Sequence, residues 1–321
     1  MKIDVHGHFF PKSYVEDVLR MYQRDATPVG KDIQRVMTWA LEDSRMWSEE
    51  RRLEDMAGFG IDTQVLSLSI PNVYFPDKAA SVALCQSSND MFVEMARRNP
   101  GKFHVFASLP LHFPDEALKE LARIGSQPEI KGVMLGANIN GLPLSQPEFM
   151  PIYAELARRR IPLFIHPMRP PGLEAMTEFS LANIAGYIFD STLAALRLVF
   201  SGVFEQYPDL VMIMPHNGGV LPIMLGRIQW GYDHVDLLRQ HISRPPEEYF
   251  KDFYYDTVCH DTRALAFGIS LFGVDHYVFG TDFPYRDDVE FQTGIVEALR
   301  LPSDQMEQIW SGNARRVLRL P

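Results

Sequence analysis

Two histidines separated by one glycine, His6 and His8 in MKIDVHGHFFP, are the first residues whose type and spacing suit chemistry. On an extended strand alternate side chains share a face, so both imidazoles can reach one cation. Two ligands leave a tetrahedral or five-coordinate ion incomplete, so further donors must come from elsewhere in the chain. Three candidates each close a short apolar run: His166 in PLFIHP, His216 in LVMIMPH and Asp282 in YVFGTD. By contrast, His104, His112, His234 and His241 have no such placement and read as ordinary structural or surface histidines.

The runs that end in these residues belong to a longer series. IDV leads into HGH, and the series continues with TQVLSLS at 63–69, FHVFASL at 103–109, KGVMLGA at 131–137, PLFIHP at 162–167, LVMIMPH at 210–216, FYYDTV at 253–258 and YVFGTD at 277–282. Several are apolar at nearly every position, as expected of parallel strands buried on both faces. Between them lie segments with the periodicity of a helix that buries one face: RRLEDMAGFG after Ser48, ASVALCQSSNDMFVEMARR, EFMPIYAELARRR, and STLAALRLVFSGVFEQY after Asp190. Asp190 and Ser191 are expected to cap the last of these, and Pro208 to mark its end. Eight strand-helix units predict a closed (β/α)8 barrel, with FYYDTV as its shortest strand signal.

In such a barrel the carboxyl ends of the strands form one rim, so His6, His8, His166, His216 and Asp282 are expected to gather there. His6, His8, His166 and Asp282 are expected to hold one divalent metal ion, with water or substrate in an open position. His216 then serves as the acid or base, because imidazole can carry a proton near neutral pH. The rival assignment places His216 on the metal and leaves Asp282 mainly to proton transfer. Nitrogen-rich coordination favours zinc. Two excursions, residues 21–47 and 167–189, follow the first and fifth strands and are candidate lids or substrate walls.

Composition sets the surrounding bounds. The 321 residues suit one domain over 1–321, and 46% apolar with 22% charged residues is ordinary for a soluble enzyme. A formal charge of −10 argues against a nucleic-acid surface, and the RRR at 158–160 reads as the solvated end of a helix. Cys85 and Cys259 form neither a CxxC nor a disulfide framework and read as small buried side chains. No bilayer-length apolar segment and no secretory h-region is evident, which gives no membrane association and cytoplasmic residence as the expectation. No dinucleotide or P-loop fingerprint is present, so no organic cofactor is expected.

Taken in order, HGHFFP, WSEERRLEDMAGFGIDTQVLS, FIHP, PHNGG, FGTDFPY and SGNARRVL resemble the amidohydrolase superfamily, in the branch typified by aminocarboxymuconate semialdehyde decarboxylase and the salicylate-type and resorcylate decarboxylases. The motifs run from residue 3 to residue 318. The resemblance implies metal ligands at His6, His8, His166 and Asp282 and a catalytic histidine at His216. It also implies a metal-dependent, non-oxidative decarboxylase of a small aromatic, salicylate-like acid or a muconate-like acid, acting as a homodimer on zinc or manganese. VMLGA lacks the lysine that bridges two ions in many relatives, and Lys131 precedes that run, so a single ion is expected. The arginine that meets a muconate carboxylate has no counterpart upstream of Trp47, where Ala40 stands; Arg35, Arg45 or Arg169 could replace it, with Arg169 favoured by its place three residues after His166. Trp47, Tyr74, Phe189 and Phe283 are candidate aromatic walls. Hydrolysis of an amide or lactone is the alternative reaction, and a non-catalytic protein that binds a small acid is the minor one.

Overall fold

The apolar runs become eight strands: β1 (Ile3–His8), β2 (Thr63–Ser67), β3 (Phe103–Ala107), β4 (Ile130–Gly136), β5 (Leu163–His166), β6 (Met212–Met214), β7 (Tyr254–Asp256) and β8 (Tyr277–Val278). In the computed structural model, which describes residues 1–320, they pair in chain order and every pairing is parallel. Backbone bonds from the segment after β8 close the ring onto β1: Val5 N–H donates to Phe279 O at 2.9 Å, Asp282 N–H to His6 O at 2.8 Å, and His8 N–H to Phe283 O at 2.8 Å. The architecture is a (β/α)8 barrel. Strand β7 pairs with both neighbours and is no edge.

Ile3, Val5, Val65, Phe106, Met134, Phe164, Ile213 and Val278 pack together inside the barrel, while a larger apolar cluster lies between strands and helices. With both faces covered, each strand needs apolar side chains at successive positions. The first strand departs from strict alternation. Its register slips between Asp4, opposite Gln64, and Gly7, opposite Leu66, which places one additional residue on β1. Such a slip exchanges the two faces of the strand. Ile3 and Val5 therefore face the interior below, and His6 and His8 face it above.

Two strands end earlier than the sequence pattern suggests. Strand β6 stops at Met214 and β8 at Val278, and beyond them His216 and Asp282 adopt left-handed backbone angles of φ 54° and φ 60°. Non-glycine residues in this region are strained and concentrate at functional sites.

The expected helices form at Glu49–Phe59, Lys78–Arg98, Met150–Arg159 and Tyr187–Phe200. Ser48 Oγ accepts from Arg51 N–H at 3.2 Å and starts the first of them. The last begins before Asp190 and Ser191, so neither is its cap. Asp190 instead turns inward, where its Oδ2 accepts from Met168 N–H at 2.9 Å and from Asn138 Nδ2 at 3.0 Å. A separate short helix, Val203–Gln206, intervenes before Pro208. The 21–47 excursion is largely the helix Pro28–Glu42, started by Thr27, whose Oγ1 accepts from Gly30 N–H at 3.0 Å. Arg158 and Arg159 lie at a helix end and pair with Glu155. Cys85 is buried and Cys259 half-buried, both as free thiols. No helix among the described residues is long and apolar enough to cross a membrane.

Candidate metal centre and active site

At the carboxyl rim, one ligand atom from each of His6, His8, His166 and Asp282 lies within 4.8 Å of all the others. His6 Nε2 is 3.0 Å from His8 Nε2, and Asp282 Oδ1 is 3.2 Å from the first and 3.1 Å from the second. The other ring nitrogens fix the tautomers. His6 Nδ1–H donates to Asp256 Oδ2 at 2.5 Å, and His166 Nδ1–H donates to Pro167 O at 2.9 Å. His8 Nδ1–H donates to Ser67 Oγ at 3.2 Å, whose hydroxyl passes on to Gly7 O at 3.4 Å. The Nε2 atoms of His6 and His8 are thereby turned toward Asp282 Oδ1, and His166 Nε2 is left without a hydrogen beside them.

His166 Nε2 is buried and has no hydrogen-bond partner. A buried acceptor of this kind is costly unless something fills its lone pair, and a divalent cation satisfies all four donors at once. The charge balance points the same way. Burial opposes protonation of His6, yet Asp282 and Asp256 outweigh it and raise His6 to about 10. Burial together with neighbouring histidines holds His166 well below its ordinary value, and burial takes His8 down to about 4. The pocket thus stabilises positive charge between two carboxylates. The residues fit a metal site of three nitrogens and one oxygen, with each histidine oriented by a partner behind it.

His216 stands beside this cluster. Its Nε2 is 3.5 Å from Asp282 Oδ2, and its ring centroid is 5.4 Å from that of His6 and 6.2 Å from that of His166. It is carried on a turn in which Asn217, Gly218 and Gly219 also have positive φ. Gly219 is required there, because a Cβ would lie 2.5 Å from Thr192 Oγ1 and 2.6 Å from Ile188 O. Asn217 pins the turn: its N–H donates to Asp256 Oδ1 at 3.3 Å, its Nδ2 to Ala264 O at 3.1 Å, and its Oδ1 accepts from Tyr277 OH at 2.9 Å. Asp256 therefore touches both the His6 ring and the His216 turn.

The five residues expected at the rim are brought together; the expected substrate contacts are not all beside them. Tyr74 lies next to the rim, with its hydroxyl accepting from Gly136 N–H at 2.9 Å, and Gly136 pairs with His166. Arg169 is half-buried and forms no ion pair among the described residues, whereas Arg35 pairs with Asp32 and Arg45 with Asp43 and Asp287. Trp47 donates its Nε1–H to Leu41 O at 3.0 Å and lies under Lys12. Phe283 is not a wall of the pocket: its buried ring packs outside the barrel against Phe59 and Arg52, because the strand direction reverses its side chain relative to Asp282. Phe189 is 54% exposed, and no aromatic contact joins it to the site.

Sequence reasoning missed Asp256 and Ser67, which end their strands in the structure but lie inside the runs FYYDTV and TQVLSLS, so no terminal position marked them. It also missed Tyr285, whose ring meets His8 edge-on at 5.3 Å and stacks on Trp39 at 5.4 Å. That stack joins the helix Pro28–Glu42 to the loop after β8.

Fold and site together define a barrel enzyme built around a metal centre of histidines and one aspartate. The amidohydrolase family pattern matches residues 3–320, and the chain belongs to that family. It is 28% identical over 332 residues to 2-amino-3-carboxymuconate-6-semialdehyde decarboxylase of Dictyostelium discoideum, a match covering 100% of this chain and 92% of that one. It is 26% identical to 2,6-dihydroxybenzoate decarboxylase solved with 2,6-dihydroxybenzoate, with a TM-score of 0.83 and 99% of each chain covered. The 5-carboxyvanillate decarboxylase of Novosphingobium aromaticivorans, solved with manganese and 4-hydroxy-3-methoxy-5-nitrobenzoic acid, shares the fold at a TM-score of 0.88 and 23% identity, covering 100% of this chain and 96% of that one.

Proposed function

We propose that this chain is a metal-dependent, non-oxidative decarboxylase of a small aromatic, salicylate-like acid, with a muconate-like acid as the other substrate class. The observation that carries the reading is the division of Asp282: one oxygen lies among the ligand nitrogens and the other faces His216. His6, His8, His166 and Asp282 would hold the ion. When bound, it supplies a Lewis acid that draws in a carboxylate and an adjacent phenolic oxygen.

His216 and Asp282 handle the proton. One is needed at the ring carbon that loses its carboxyl group, and His216 Nε2 with Asp282 Oδ2 is the pair able to deliver it there. The ring carbon gains the proton, the bond to the carboxyl carbon breaks, and its electron pair restores the aromatic ring as carbon dioxide leaves. Arg169 is the charge best placed for a substrate anion, and Tyr74 is the aromatic candidate nearest the rim. Trp47 is a further candidate, its indole fixed by the bond to Leu41 O.

A single ion is supported by the position of Lys131, which lies at the amino end of β4, far along the strand from the rim where the ligands gather. Zinc is our first assignment from the three nitrogen donors, with manganese second. Residues 1–321 are read as one domain and the enzyme as a cytoplasmic homodimer. Exposed Ile223, Trp230 and Leu237, on and just after the helix Leu221–His234, supply apolar surface for a second copy.

The test incubates zinc- or manganese-loaded protein with hydroxybenzoates, aminobenzoates and muconate semialdehydes in deuterated water. Release of carbon dioxide with one deuterium on the carbon that bore the carboxyl group is expected. Hydrolytic ring opening of lactones or amides, with no carbon dioxide across the acid panel, moves the chain to the hydrolase reading. Tight binding of an acid with no turnover in either screen moves it to the binding-protein reading.

A further inference from the structure

Behind β1, on the face away from the metal centre, lies a continuous chain of buried polar groups. Asp4, Gln64 and Arg52 are 0%, 1% and 0% exposed. Asp4 Oδ1 accepts from His6 N–H at 3.0 Å and from Thr281 N–H at 3.1 Å, while Oδ2 accepts from Thr281 Oγ1 and Gln64 Nε2, both at 2.6 Å. Burial pushes the Asp4 carboxyl up from the ordinary carboxylate range while the bonds from Thr281, Gln64 and the His6 amide pull it back; four donors and no acceptor converge on it, the environment of an acceptor-only carboxylate. Gln64 passes the chain on: its Oε1 accepts from Arg52 Nη1 at 2.7 Å. Arg52 Nη2 then donates to His8 O at 2.7 Å and to Arg45 O at 2.8 Å. At the other end, Thr281 Oγ1 accepts from Phe283 N–H at 3.2 Å.

The contacts at the ends of this chain are not scattered. Apart from the Arg45 carbonyl, they are the amide of His6, the carbonyl of His8 and the two residues that flank Asp282. We propose that Asp4, Gln64 and Arg52 form a buried clamp that positions three of the four metal ligands by gripping the backbone beside each of them. The clamp spans the seam where the barrel closes, between β1 and the segment after β8. On its β2 side β1 carries its additional residue, and across the seam Asp282 has left-handed backbone, so regular ladder bonds alone do not set the spacing. An anion and a cation joined through one amide supply a stiff link there, since charge-assisted hydrogen bonds are stronger than neutral ones.

The same clamp gives a reason for the glycine between the two histidines. A Cβ on Gly7 would lie 2.5 Å from Gln64 Cδ, so the Gln64 amide crosses the strand where only a glycine leaves room. Arg52 and Gln64 lie within WSEERRLEDMAGFGIDTQVLS, and the proposed chemistry assigns neither of them another task.

Gln64→Met keeps the volume and removes both amide bonds. Apparent zinc affinity of the full chain is measured by chelator competition, alongside the visible absorption of the cobalt-substituted protein, which reports ligand geometry. The clamp predicts zinc binding weakened about 10- to 100-fold and an altered cobalt spectrum. Leu121→Ala, a buried truncation on the helix Pro114–Ile124 that follows β3, measures what general destabilisation does to the same readouts. Thr281→Val, which deletes the hydroxyl link to Asp4, decides the matter if Gln64→Met does not fold, and Thr281→Ser is expected to restore wild-type behaviour. Folded variants with wild-type zinc affinity and cobalt spectrum, or equal losses in Leu121→Ala, overturn the clamp. The proposal rests on the metal-centre reading, and a wild-type chain that takes up neither zinc nor cobalt refutes that reading instead.

Discussion

Asp256→Asn probes the contribution of an oriented histidine to metal binding, because of the four ligand side chains Asp256 bonds only to His6. In the wild type its Oδ2 accepts the His6 Nδ1 proton at 2.5 Å, and its Oδ1 accepts from Val258 N–H at 3.0 Å and Asn217 N–H at 3.3 Å. Both residues are 0% exposed, so no water replaces a lost contact. Asparagine can keep its oxygen on the two backbone donors, and its amide then points N–H at His6 Nδ1. Two donors facing each other force His6 to move its proton to Nε2, which removes the lone pair turned toward the cation. The opposite flip of the amide restores His6 but sets N–H against two backbone N–H groups.

Either arrangement loses one buried charge-assisted bond, worth about 1.5–3 kcal/mol. That agrees with the loss of about 10- to 100-fold in metal affinity, or about 1.4–2.8 kcal/mol, usual for partners behind a ligating histidine. Chelator competition against zinc at fixed pH measures it directly. Wild-type affinity in Asp256→Asn, with His166→Ala losing metal in the same assay, would refute the reasoning that the Asp256 bond sets the His6 tautomer.

The ligand assignment predicts that His166→Ala and Asp282→Asn lose metal together with turnover, while His216→Asn retains metal and loses about 10²- to 10⁴-fold in turnover; metal analysis of the purified variants beside kcat checks this, and equal metal loss in all three places His216 on the ion. Burial raises Asp190 to about 6, so the native state holds its proton where the unfolded chain has already released it. Stability from this group is therefore present near pH 4 and falls as pH rises toward 6, by up to about 3 kcal/mol. Urea unfolding across that window should show wild type losing ground to Asp190→Asn as pH rises; parallel curves contradict the assignment. Trp230→Glu with Ile223→Glu should shift the dimer to monomer in sedimentation, and a wild type that is monomeric at working concentration removes the dimer itself.

Sequence periodicity was enough to place all eight strands, because a strand covered on both faces must be apolar at successive positions, and this leaves its polar terminal residues conspicuous. His6, His8, His166, His216 and Asp282 stand out in that way, so the metal centre could be recognised before the fold was known. The helix starting after Ser48 was equally plain from its one-faced periodicity, but Asp190 misled: a residue type suited to a cap is bonded instead to Met168 and Asn138, distant in sequence. Aromatic type said nothing about direction. Phe283 turned away into the outer core, whereas Tyr285, two residues later, turned toward His8. Asp256, Ser67, Gln64 and Arg52 carried no local signal strong enough to separate them from other polar residues, since each acquires its role from a partner on another strand or helix. The chain by itself determined which residues could ligate and in what order the strands occur. Tertiary structure decided what orients those ligands, because that depends on the one-residue slip in β1 and on left-handed backbone at His216 and Asp282, which long-range pairing across the closed barrel holds in place.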